Sequence, residues 1–165
     1  MRTRAIILKK LPLREDDELV VAYTETHGKQ RYLAKSSLRS ESLQGSHLDV
    51  LNAVRFSVIE GKRNFIIASA VAERTYPRLK LSLRALAIAS MVLEAFDLLV
   101  YDHDADAALW NFLINTLDTL DSGGRDRDWI ETELVKVLGY HTSTTLEDIA
   151  PRSLLSLQFL RNVVI

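Results

Sequence analysis

Short apolar runs rich in Val, Ile, Tyr and Phe, separated by polar turn residues, fill the first half of the chain, a pattern that suits strands. They predict strands over 3–10 ("TRAIILKK"), 18–25 ("ELVVAYTE"), 29–35 ("KQRYLAK"), 47–60 ("HLDVLNAVRFSVIE") and 64–73 ("NFIIASAVAE"). "THGK" and "EGKRN" are short glycine-containing connections that read as hairpin loops, whereas 36–46 is longer and polar. Five short strands are too few for a large two-layer sandwich. The economical closure is a small barrel of the OB type, with an SH3-like barrel as the second choice.

After "TYPRL" the apolar spacing becomes helical. Helices are predicted over 81–101, 104–120, 128–140 and 151–164, the last with Pro151 in its first turn. The run 81–101 is apolar nearly all round, but Arg84, Glu94 and Asp97 interrupt it, so it reads as the central helix of a bundle rather than a membrane span. In 104–120, Leu109, Phe112, Leu113, Thr116, Leu117 and Leu120 share one face. The expected fold is therefore α+β: a five-stranded OB-fold barrel over residues 1–80, then a small all-α helical bundle over 81–165.

Charge sharpens this division. The net charge of -1 over 165 residues hides 15 Lys+Arg against 9 Asp+Glu in residues 1–80, and 6 against 13 in residues 81–165. A basic half suits a polyanion, and an acidic half suits solvent or another protein. The chain has no cysteine, which excludes disulfides and thiolate zinc sites and fits a reducing compartment. The apolar run in "MRTRAIILKK" is too short for a signal-peptide core, so a cytoplasmic protein is the simplest expectation.

Candidate chemistry is sparse. "DHDAD" places Asp102, Asp104 and Asp106 at the alternate spacing of a calcium loop, but Ala107 stands at the glycine position and Leu113 at the bidentate glutamate position. Acids at a helix start suit the macrodipole instead. The four acids of "LREDDELVV" read as a solvated turn. There is no Gly-rich phosphate loop, nucleophile elbow or histidine pair at metal spacing, so neither an enzyme nor a cofactor is expected.

The basic residues are more informative. In the strand 29–35, Arg31, Leu33 and Lys35 point one way and Gln30, Tyr32 and Ala34 the other. Lys29 falls in the preceding turn, Arg39 in the following loop, and Lys62 and Arg63 in the second hairpin. On a small barrel these could line one groove for a nucleic-acid backbone. Exposed strand faces also carry Lys and Arg merely for solubility and edge protection. Tyr32 is assigned to the core in preference to a stacking platform.

"AIILKKLPLREDDELVVAYTETHGKQRYLAKSSLRSES" resembles the start of the bacterial recombination mediator family RecO. "IASMVLEAFDLLV" resembles the first long helix of that family's helical domain, and "ELVKVLGY" the helix before its zinc-binding insert. The resemblance implies an OB-fold that binds single- and double-stranded DNA. It also implies annealing of strands coated with single-strand-binding protein (SSB), and work with RecR to load the recombinase RecA. It assigns DNA contacts first to Lys35 and Arg39, then to Lys29 and Arg31; Lys62, Arg63 and Arg4, read from their own placement in the chain, complete the candidate set. Ser36, Leu38 and Glu41 stand where the family has a glycine and further basic residues, which implies weaker DNA affinity. "TSTTLEDIAPRSLL" follows "LGYH" directly, which implies a short form without the zinc-binding module. The helical half is acidic, an unusual surface for the acidic SSB tail. A protein-interaction adaptor and an OB-type RNA binder are the alternative readings.

Overall fold

The structure is a computed structural model and describes residues 1–124, 126–152 and 154–163. It forms two compact units: Met1–Thr75 with Tyr101–Asp106, and Tyr76–Val100 with Ala107–Ile165. Residues 76–80 and 101–106 therefore fall on the other side of a division at residue 80.

In the first unit, β1 (Arg2–Pro12), β2 (Glu18–Thr24), β3 (Gly28–Ala34), β4 (Ala53–Glu60) and β5 (Phe65–Arg74) close a barrel in the order β1-β2-β3-β5-β4. All neighbours are antiparallel except β3 and β5, which run parallel at Tyr32↔Phe65 and Leu33↔Ile66. This is the OB-fold. Strand β1 serves two neighbours, β4 through Arg2–Ile6 and β2 through Ala5–Pro12. A bulge between Ile7 and Lys9 bends it. Even-numbered residues of β2 and β3 point inward: Val20, Ala22, Tyr32 and Ala34 meet Ala5, Ile7, Val54, Phe56, Val58 and Ile67 in the core. Tyr32 is fully buried, packs edge-on against Phe56 at 5.0 Å, and donates its hydroxyl to Gln30 Oε1 at 2.7 Å. It is a core residue, as its place on the inward face predicts.

The expected strand over 47–60 begins only at Ala53. Leu51 takes a left-handed conformation at φ 76°, and the Asn52 side chain donates to the carbonyls of Ser46 and His47. These bonds close a turn, although Leu48 is still driven into the barrel core.

The second unit is all helix: α1 (Pro77–Leu81), α2 (Leu83–Leu99), α3 (Ala107–Asp121), α4 (Arg127–Val137), α5 (Leu146–Ile149) and α6 (Leu155–Val163). Ser82 divides the expected helix 81–101 by capping α2, its side chain accepting the Ala85 N–H. Ala87, Ile88, Met91, Val92, Ala95 and Phe96 of α2 are buried with Leu113 and Leu117 of α3 and with Ile130 and Leu134 of α4. Phe96 and Phe112 stack at 6.3 Å. Glu94, which interrupts the apolar run of α2, is used for packing: it accepts the backbone N–H groups of Leu155 and Ser156, both at 2.9 Å, and the Ser156 hydroxyl at 2.5 Å. These bonds dock α6. The last helix therefore starts at Leu155, not in a turn containing Pro151, because Glu94 satisfies its free amino-terminal N–H groups. Positions 153 and 164 of the expected helix lie outside the described residues, as does Arg125 of "SGGRD". No helix among the described residues is long and apolar enough to cross a membrane.

Candidate nucleic-acid interface

Odd-numbered residues of β2 and β3 form the outer face, paired as Leu19↔Leu33, Val21↔Arg31 and Tyr23↔Lys29. In OB-folds this face, with the β1–β2 and β4–β5 loops, receives oligonucleotides and oligosaccharides. Here its two ends differ. Arg31 and Lys35 are exposed and Leu33 is half-buried, whereas Tyr23 and Lys29 are buried.

The cover over Tyr23 and Lys29 is the segment 101–106, which returns from the helical unit to join the barrel. Asp102 bridges to Lys29 in parallel, with its Oδ1 3.4 Å from the Lys29 ammonium. The His103 N–H donates to the Lys29 carbonyl at 2.9 Å, and its ring Nδ1 lies 2.8 Å from the Gln30 amide. The Tyr23 hydroxyl donates toward the Asp104 carbonyl at 3.2 Å and accepts the Asp106 N–H at 3.1 Å. Burial raises the Tyr23 phenol above its ordinary pKa, so it stays a neutral donor. Gly28, at φ +66°, makes the approach possible: a Cβ there would lie 2.3 Å from the Asp104 carbonyl oxygen. Lys29 thus belongs to a strand and an ion pair, not to the preceding turn. Asp102 is engaged with Lys29 instead of a helix start, and α3 begins only at Ala107. Among the described residues no group of His, Asp and Glu is arranged to hold a metal.

The other predicted cations sort into paired and unpaired sets. Arg4 lies 3.0 Å from Glu73 and 3.6 Å from Glu25, and Glu73 also meets Arg55, which stands directly opposite Arg4 in the sheet. Arg39 is held by Asp16 at 2.9 Å. That contact belongs to a latch between the β3–β4 loop and the turn before β2. The Asp16 carbonyl accepts the Leu38 N–H, Asp17 accepts the Ser36 N–H at 2.8 Å, and Glu18 accepts the Ser37 hydroxyl at 2.8 Å while meeting Lys10 at 3.4 Å. The acidic stretch is therefore not simply solvated; Glu18 is buried. Arg31, Lys35, Lys62 and Arg63 are exposed, with no carboxylate partner among the described residues. The parallel β3–β5 pairing sets Phe65 beside Tyr32, so the hairpin carrying Lys62 and Arg63 enters β5 next to Arg31. By this register Lys62 and Arg63 lie on the Lys29 side of Arg31 along β3, with Lys35 farther along the strand in the other direction. Sequence reasoning missed the 101–106 cover, and its only local signal is the glycine at position 28.

The chain matches the family model described as "Recombination protein O N terminal" over residues 1–70. It is similar to the DNA repair protein RecO of Geobacter sulfurreducens, 28% identical over 146 residues covering 87% of this chain and 60% of that protein. The DNA repair protein RecO of Streptococcus pyogenes is 34% identical over 122 residues, 72% of this chain and 47% of that protein. That of Streptococcus mutans is 29% identical over 128 residues, 73% and 48%. The chain matches about half to three-fifths of the length of these relatives. The likeness to RecO proteins thus covers the five-stranded OB barrel and runs on through the helices.

Proposed function

We propose that this chain is a non-catalytic DNA-binding and strand-annealing factor of recombinational repair, with the barrel meeting DNA and the helical unit meeting protein partners of the RecR, SSB or RecA kind. The observation that carries the reading is the set of unpaired cations, Arg31, Lys35, Lys62 and Arg63, arranged by the β3–β5 pairing on the outer face used for oligonucleotides in OB-folds. Such a patch screens phosphate repulsion between two strands without reading bases, which is what annealing requires. Arg39, Arg4 and Lys29 contribute less, because each already faces a carboxylate.

Fluorescence anisotropy with single-stranded DNA across a salt series tests the reading, with RNA of the same sequence as a second arm. If the four cations each neutralise one phosphate, the slope of log affinity against log salt is about -3. Reversing Arg31 and Arg63 to glutamate lowers both affinity and annealing rate and flattens that slope by more than one unit. Absence of binding at low salt would instead support an adaptor, a reading favoured by the ion pairs that already occupy Arg4, Lys29 and Arg39.

A further inference from the structure

The segment 101–106 lies on the same outer face as the proposed contacts, and it brings the kinds of group that a nucleic acid would compete with. A buried tyrosine and a lysine on adjacent strands, Tyr23↔Lys29, are the residue types with which single-strand binders stack a base and hold a phosphate. Here the tyrosine hydroxyl is taken by the backbone of Asp104 and Asp106, and the ammonium by the Asp102 carboxylate. The cover is close-fitting, since Gly28 leaves no room for a Cβ beneath Asp104. It is also anionic at its surface: Asp102, Asp104 and Asp106 are all exposed.

We infer that this segment is the built-in end wall of the strand path. It occupies the Tyr23–Lys29 end of the face, and its carboxylates repel phosphate, so that a bound strand is confined to the part of the face that carries Arg31 and Lys35. Lys29 and Arg31 are two residues apart on one strand face, about 7 Å, so the wall acts within a screening length of the first cation. Asp102 and Asp104 are thus determinants of how much single strand the barrel accepts, although neither touches it. This rests on the proposed DNA binding at that face.

The test compares the parent with Asp104→Asn, with Asp102→Asn/Asp104→Asn, and with Asp128→Asn, which removes an exposed charge from α4. Asp104 touches Tyr23 through its backbone carbonyl, so the single variant keeps the cover in place. Binding of oligo(dT) of increasing length is measured at low and at physiological salt. The strap variants should bind about three-fold or more tightly at low salt, the gain should shrink as salt rises, and Asp128→Asn should match the parent. Equal affinities for all four proteins would overturn the inference while leaving DNA binding intact. Weaker binding by the strap variants would also overturn it, since the segment would then hold DNA rather than exclude it. A parent that binds no DNA removes the reading beneath it, and the inference with it.

Discussion

Replacing Gly28 by alanine is the most direct test of the cover over the barrel face. Two costs apply. An alanine at φ +66° pays about 1–2 kcal/mol for the left-handed conformation. Its Cβ would also lie 2.3 Å from the Asp104 carbonyl oxygen, 2.4 Å from its carbon and 2.7 Å from its nitrogen. Carbon and oxygen ordinarily rest at about 3.3 Å or more, so the segment must retreat by about 1 Å. That retreat disrupts the bonds from Tyr23 to Asp104, from Asp106 to Tyr23 and from His103 to Lys29, at about 1 kcal/mol each. The expected destabilisation of the barrel is about 4–5 kcal/mol. Gly123→Ala is the reference, because Gly123 has φ +83° but nothing within 4 Å of a new Cβ, and should show only the conformational part. Amide hydrogen exchange reads each unit separately: residues 28–34 and 101–106 for Gly28→Ala, α3 for Gly123→Ala. Equal losses of protection in the two variants would refute the claim that the Asp104 backbone sits against Gly28.

Two further outcomes follow from titrating groups. Burial alone would raise the pKa of Glu94, but the Ser156 hydroxyl and the N–H groups of Ser156 and Leu155, aided by Arg152, outweigh it and hold the carboxyl below its ordinary value. A depressed carboxylate stabilises above its unfolded pKa and loses that contribution as pH falls through the folded one, so the docking of α6 should weaken as pH falls below the ordinary glutamate range. Glu94→Gln should weaken α6 at neutral pH and remove this dependence; unchanged exchange protection in residues 155–163 would contradict the reading. Burial pushes the Tyr32 phenol up to about 12, an elevation present below the unfolded value near 10 and lost as pH rises toward 12. Tyr32→Phe should therefore flatten the alkaline loss of barrel stability over that window, as followed by far-ultraviolet circular dichroism, at the cost of the bond to Gln30, about 1 kcal/mol.

What could be read from the chain depended on how local each signal was. The alternation of Arg31, Leu33 and Lys35 with Gln30, Tyr32 and Ala34 is set by backbone geometry alone, and burial follows it, with the inward three buried and Arg31 and Lys35 exposed. The stretch 47–52, with Leu48, Val50 and Leu51 among polar residues, reads as the start of a strand, yet the left-handed Leu51 and the Asn52 bonds that form the turn leave no periodic trace. Lys29 could not be separated from the other cations, because its partner Asp102 is distant in sequence and belongs to a segment that reads as the start of a helix. The same holds for Arg39, whose partner Asp16 lies across the turn before β2. Charge count overstated the basic face, since it cannot tell an ion pair in the fold from a free cation.

The return of residues 101–106 to the barrel also sets a schedule for the chain as it is made. Strand β5 ends at Arg74, and the whole of α2 is synthesised before the covering segment appears. At ordinary elongation rates of about 5–20 residues per second, that gap lasts about 2–6 s. During it the nascent barrel has all five strands but its Tyr23–Lys29 face is uncovered, available to a chaperone or to any anion nearby. A fragment cut at the end of β5 would keep that newborn surface permanently, and its ligand preferences would be those of an unfinished protein.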